Sequence, residues 1–359
     1  MRTALTTVRA RYTAEHRSDP PPATVKADIL ESDSVLTSDT WEGPLRDAVQ
    51  SETAGTDAGA DSPRFASVAD VTRRLGEVGY LASTAVATTV FLADRLGKPL
   101  LVEGPAGVGK TELARAVARA SRSELIRLQC YEGIDEARAL YEWNHAKQLL
   151  RITAARDESW DEARANIFAE EFLLSRPLLT AIRGEDPAVL LIDETDKADI
   201  EVEALLLEVL GDFQITVPEL GTITAARRPF ALLTSNATRE LSEALKRRCL
   251  FLHIDFPDPD LERRIIGLHV PDIDDALTTS LVTIVNALRG LDLRKAPSVA
   301  ESVDWARTLL ALGAGTLSED VVRATLGVVL KYQADTRTAL NELKLDELTG
   351  GQVPGAVAG

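Results

Sequence analysis

Between Val68 and Pro257, short apolar runs alternate with stretches whose apolar residues recur every three or four positions, which predicts strands and helices alternating in a parallel α/β sheet. Leu100–Val102 reads as a buried strand, and helical spacing follows from Thr111 to Ala120. Val189–Ile192, bounded by Pro187 and by acids, has no polar position, as expected of a strand covered on both faces. Apolar strands are also expected from Phe230 and over Leu250–Ile254. Ile215, Val217 and Ile223 alternate around Pro218–Gly221, which predicts a β-hairpin between Asp212 and Phe230. After Phe256 the spacing is helical only, through Leu261, Ile265 and Leu268, then Leu277, Leu281, Ile284 and Leu288. The acid-rich stretch between Cys130 and Pro187 reads as helical, and its aromatics Tyr131, Tyr141, Trp143, Trp160, Phe168 and Phe172 read chiefly as core. The start of the chain shows neither period. Rich in Ser, Thr, Asp and Ala, with prolines at 20–22, it cannot bury enough apolar surface to offset its ordering entropy. The expected organisation is a mostly disordered acidic segment over 1–66, an α/β domain over 67–257, a helical domain over 258–345 and a frayed tail over 346–359.

Composition narrows the function. At 359 residues the chain can build two cores. A net charge of −16 repels a polyphosphate backbone unless a local basic patch compensates. The sequence offers only the short clusters Arg227–Arg228 and Lys246–Arg248, so no nucleic-acid partner is expected. Two isolated cysteines, Cys130 and Cys249, suggest a reducing compartment, and the four scattered histidines give no zinc spacing. No apolar run is long enough to span a bilayer and no secretory h-region is evident, so the expectation is a cytoplasmic protein without a membrane partner.

Three motifs carry the chemistry. Gly104, Pro105, Ala106, Gly107, Val108, Gly109, Lys110 and Thr111 spell the phosphate-binding loop G-x-x-x-x-G-K-T between a strand and a helix. Its glycines let successive N–H groups curl around a phosphate, and the helix aims its positive end at the same anion. Lys110 is placed for the β and γ phosphates, Thr111 for magnesium, and Glu112 begins the helix beside them. The second motif is Asp193–Glu194 at the end of a buried strand, where open α/β sheets bind ligands. Asp193 suits the magnesium shell and Glu194 the attacking water. The third is Asn236 at the tip of the next strand, able to hold that water. Thr234, Ser235 and Asn236 equally suit a surface turn capping a helix. Arg247 and Arg248 close a short helix, where arginines also simply complement its dipole.

With these motifs in order, the chain resembles the AAA+ ATPases and, within them, the CoxD-like branch of the MoxR family, from about Gly79 to Arg307. The branch resemblance lies in the strings QCYEGIDEA from Gln129, LYEWNHAKQLL from Leu140 and the acidic helix after Asp193. The resemblance implies a P-loop AAA+ parallel sheet flanked by helices and followed by a helical lid, with ATP and Mg2+ as cofactors. Lys110 and Thr111 match Walker A, Asp193 and Glu194 Walker B, and Asn236 sensor 1. Arg248 matches the arginine finger that acts on a neighbouring subunit, with Arg247 its close rival. Gly79 and Tyr80 match the segment beside the adenine, although a tyrosine there equally suits a buried helix start. Sensor 2 departs from the pattern: Val299 stands where its arginine is expected, so either Arg294 or Lys295 substitutes or the lid contributes no cation to the nucleotide, and sensor 2 stays unassigned. The resemblance further implies a homo-oligomer, a hexameric ring, with a von Willebrand factor A domain partner and a client metalloenzyme, a molybdenum-containing dehydrogenase. Alternatives are a nucleic-acid-stimulated translocase or loader and a nucleotide-gated scaffold without turnover.

Overall fold

The computed structural model describes residues 63–154 and 167–345. Residues 1–62, 155–166 and 346–359, which hold most of the segment expected to be disordered, Trp160 and the tail expected to fray, lie outside the described residues.

Two helices lead into the sheet. α1 (Val68–Glu77) starts at Ser67, whose hydroxyl accepts from the Asp70 N–H, and α2 (Thr84–Leu96) ends at Gly97 in the left-handed conformation. Then come β1 (Leu100–Glu103), α3 (Lys110–Ser121) and β2 (Glu124–Gln129). β5 (Ala188–Asp193), β8 (Phe230–Ser235) and β9 (Leu250–His253) complete a wholly parallel sheet in the order β2-β5-β8-β1-β9. Alternate residues of the central strands feed opposite faces, which is why the strands read as unbroken apolar runs. Leu190, Ile192, Ala231, Leu233 and Leu101 enter one core, whereas Val189, Leu191, Phe230, Leu232 and Leu100 enter the other. The C-terminal ends of β1, β5 and β8 therefore emerge side by side.

Phe65 corrects the boundary at residue 66. It is 1% exposed, and its N–H donates to Asp94 Oδ2 at 3.1 Å. One anchoring aromatic beside a disordered composition leaves no periodic signal. The helical expectation for 130–187 also needs correction. Besides α4 (Glu136–Ala139), α5 (His145–Ala154) and α6 (Pro177–Arg183), it contains an antiparallel ribbon of β3 (Tyr141–Trp143) and β4 (Leu173–Ser175). Phe172 is buried, Trp143 packs edge-on against Tyr141 and Phe168, and Tyr131 is exposed.

α7 (Ile200–Asp212) follows β5. The hairpin appears as expected, as β6 (Gln214–Val217) and β7 (Gly221–Thr224) with Val217 opposite Gly221. α8 (Glu243–Arg248) connects β8 to β9.

The helical domain comprises α9 (Pro259–His269), α10 (Asp275–Arg289), α11 (Val299–Ala311), α12 (Glu319–Thr325) and α13 (Gln333–Glu342) around their own core, with Trp305 fully buried. Arg289 donates through both terminal nitrogens to the buried Glu262 at 2.6 and 2.8 Å, and its Nε donates to Pro297 O. That fixes the chain just ahead of α11. Among the described residues no helix is long and apolar enough to cross a membrane.

Candidate functional site

The phosphate loop leaves β1 and folds over its own lysine. Lys110 is 6% exposed, and its ammonium donates to Gly104 O and Pro105 O at 2.7 Å and to Asn236 Oδ1 at 2.8 Å. Three donors therefore meet three acceptors. Burial pushes the Lys110 pKa below the usual lysine range, and the Asp196, Asp193 and Glu194 carboxylates pull it part of the way back. Gly104 and Gly107 are required by close approach. A Cβ on Gly104 would stand 1.9 Å from Ile254 O, and one on Gly107 would stand 2.2 Å from Ser298 Cβ.

Asp193 is 2% exposed at the end of β5, with both oxygens engaged. Oδ1 accepts from Thr111 Oγ1 at 3.0 Å and from Thr234 Oγ1 at 2.6 Å. Oδ2 accepts from Arg127 Nε at 3.1 Å and Nη2 at 2.5 Å. Glu194 has φ 56°, a left-handed conformation uncommon without glycine, and its N–H donates to Thr234 Oγ1. Its Oε2 accepts from Gln129 Nε2 at 2.9 Å and Lys197 Nζ at 2.7 Å. The structure thus brings Lys110, Thr111, Asp193, Glu194 and Asn236 together. It adds Arg127, Gln129 and Lys197, to which the sequence reading gave no role, and it brings in Thr234, weighed there only as part of a turn, as a partner of Asp193 and Glu194. For the two β2 residues the signal was the register, since Gln129 lies opposite Asp193 in the β2–β5 ladder.

These residues fit a nucleotide with magnesium. Thr111 and Asp193 form an oxygen bracket of the hard-donor kind Mg2+ takes, and nearby Asp196 Oδ1 is buried without a hydrogen-bond partner, an acceptor open to a metal-bound water. Asp196 Oδ2 accepts from the Thr238 N–H and hydroxyl; burial raises its pKa, but these hydrogen bonds outweigh it and hold the carboxyl below its usual value. Beside the loop a cleft of about 570 Å3 has room for a nucleoside. Gly79, Tyr80, Val108, Gly109 and Glu112 line it, and Ala106 is exposed on the loop. Tyr80 both lines the cleft and packs on the core beneath. Burial, then Glu112, raises its phenol pKa.

The helical domain closes the far wall. The Val299 N–H donates to Gly107 O at 3.3 Å, and Val299, Val303 and Arg307 line the cleft. Neither suggested substitute for the missing sensor 2 cation lies there. Arg294 stacks on Tyr332 at 4.2 Å, and Lys295 pairs with Glu301 at 3.1 Å. Arg307, two turns beyond Val299, is the cation the helical domain presents to the cleft, beside Asp304 at 3.3 Å. Arg247 and Arg248 stand apart from this cluster, exposed at the end of α8. Among the described residues neither guanidinium has a hydrogen-bond or ion-pair partner.

The premise of no local basic patch is overturned. Arg64, Arg95, Lys98, Arg227 and Arg228, scattered in sequence, share one pocket at the opposite end of the sheet. Both cysteines are free thiols, and burial pushes each up to about 12.

Residues 99–249, which hold the three motifs, match the family described as AAA domain (dynein-related subfamily). An uncharacterised protein of Staphylococcus haemolyticus is 24% identical over 249 residues, covering 67% of this chain and 87% of its own length. One from Staphylococcus aureus is 25% identical over 224 residues, covering 60% and 77%. Among solved structures, the Thermotoga maritima RuvB Holliday junction branch migration motor aligns at TM-score 0.38 and 20% identity, over 72% of this chain and 68% of that one.

Proposed function

We propose that this chain is an AAA+ ATPase of the MoxR type, working in the cytoplasm as a hexameric ring that couples ATP hydrolysis to remodelling of a client protein. One observation carries the ATPase reading: Lys110 bridges the phosphate loop to Asn236 at 2.8 Å while Thr111 holds Asp193 at 3.0 Å, so cation, metal bracket and water-positioning amide converge beside Glu194. In this reading Lys110 exchanges its loop carbonyls for phosphate oxygens. Thr111 and Asp193 hold magnesium, which supplies charge neutralisation at the β and γ phosphates. Glu194, released from Gln129 and Lys197, accepts a proton from water that Asn236 orients. The exposed Arg248, with Arg247 as rival, completes the site of a neighbouring copy. The branch assignment rests on the resemblance of the strings from Gln129 to Leu150 and of the helix after Asp193, and the von Willebrand factor A domain partner and a molybdenum-containing dehydrogenase as client are what that resemblance implies.

ATP turnover and fluorescent-ATP binding, measured on the wild type, Lys110→Ala and Glu194→Gln, test this function. The expected outcome is lost binding for Lys110→Ala, and retained binding with turnover reduced at least a hundredfold for Glu194→Gln. Wild-type binding without turnover, alone or with candidate clients, would turn the reading into a nucleotide-gated scaffold. Normal turnover by Glu194→Gln would assign the water to another base.

A further inference from the structure

A second concave site, of different chemistry, lies where β1 and β8 begin, at the end of the sheet opposite the phosphate loop. Its volume is about 160 Å3, against about 570 Å3 for the nucleotide cleft. Three segments meet there: Pro63–Arg64 ahead of α1, Ala93–Lys98 at the end of α2, and Arg227–Ala231 leading into β8. They bring Arg64, Arg95, Lys98, Arg227 and Arg228 to its walls, with Asp94 the one carboxylate among the described residues there.

That carboxylate is already committed. Oδ1 accepts from Arg64 Nη1 at 3.2 Å and Oδ2 from the Phe65 N–H at 3.1 Å. Arg64 Nη2 donates to Ala188 O and Arg228 O, while its Nε is buried with no hydrogen-bond partner. Lys98 and Arg227 have no side-chain hydrogen bond or ion pair among the described residues. Among the described residues, Asp94 is the one carboxylate that lines this pocket. Among the described residues, Lys98 and Arg227 add like charge beside the Arg64–Asp94 pair with no carboxylate of their own, an excess that an anion would relieve.

We propose that this pocket binds a compact, multiply charged oxyanion of the pyrophosphate class. Arg227 and Lys98 supply unspent charge beside the Arg64 guanidinium. The volume suits linked phosphoryl groups without a nucleoside. A nucleic-acid backbone has the same charge but spreads it along a track, whereas these five cations converge on one pocket.

Calorimetric titration of inorganic pyrophosphate into full-length Lys110→Ala protein tests the site with the phosphate loop disabled. The expected result is saturable binding, one ion per chain, weakened at least tenfold when Lys98→Gln and Arg227→Gln are added. Thermal melting of that variant should match its parent, because neither side chain has a partner to lose. No saturation at millimolar pyrophosphate, or equal binding by the added variant, overturns the proposal. So does binding of a single-stranded oligonucleotide through these residues without any response to pyrophosphate, which would assign the patch to a nucleic-acid backbone.

Discussion

Asp193 shows how much a single residue's surroundings decide. Its place in the second motif is legible from an apolar run ending in two acids, but its partners are not. Arg127 reaches it across 66 positions, because parallel pairing sets the end of β2 beside the end of β5. The consequence is specific: a guanidinium occupies Oδ2 of the carboxylate proposed to hold magnesium. Arg127→Gln should remove that competitor and lower the magnesium concentration giving half-maximal fluorescent-ATP binding. With Arg127 42% exposed, the ion pair is screened, and a shift on the order of threefold is expected, equivalent to ~0.6 kcal/mol. A midpoint that stays put or rises would make Arg127 an orienting group for Asp193.

At the scale of elements, the contact between the phosphate loop and the start of α11 joins the two halves of the cleft. α11 begins at Ser298, where Ser298 and Glu301 form a reciprocal capping box, and the next N–H donates to Gly107 O. Gly107 has φ 81° and no room for a Cβ, whereas Gly133 has φ 78° with nothing within 4 Å. The pair separates backbone strain from the contact. Gly133→Ala should cost about 1 kcal/mol in thermal or denaturant unfolding and leave nucleotide binding unchanged. Gly107→Ala should do the same to the backbone and also displace Ser298, weakening ATP binding at least tenfold. Equal binding by the two variants would remove the helical domain's contact from nucleotide affinity. That Val299 lies at this junction was legible from its place after Lys295. The choice of Arg307, rather than Arg294 or Lys295, as the cation facing the cleft was not. Which side of α11 faces the loop depends on how Arg289 and Glu262 fix the chain before it.

For the whole molecule, the two exposed arginines of α8 matter most. They lack hydrogen-bond and ion-pair partners within the described residues, whereas Lys110, Thr111, Asp193, Glu194 and Asn236 each have one, which fits the proposed role completed by a second copy. Turnover per subunit should rise with protein concentration in the wild type. Arg248→Ala should bind ATP normally yet lose assembled activity by about three orders of magnitude, the lower end for a finger supplied in trans. Mixing it with Lys110→Ala should restore part of the rate, because some interfaces then pair an intact loop with an intact arginine. Absence of rescue under demonstrated co-assembly would exclude action between copies, and the same experiment with Arg247→Ala decides between the neighbours.

The sequence by itself determined β1, β5, β8 and β9, the phosphate loop, the acidic tip of β5 and the hairpin, because each rests on local chemistry. Buried parallel strands need unbroken apolar runs, and a loop around phosphate needs glycines at fixed intervals. The tertiary structure alone decided what depends on distant segments meeting. The ribbon of β3 and β4 pairs two three-residue strands about thirty positions apart, too short to carry a period against a helical background. Phe65 belongs to the core only because α1 and α2 enclose it, and Gln129 reaches Glu194 only through strand register. The five cations around Asp94 come from three separate segments, and bringing them together turns an acidic chain into one with a local anion-attracting pocket. Charge counted along a chain averages over positions, whereas charge in a fold is set by which turns end at the same edge of the sheet.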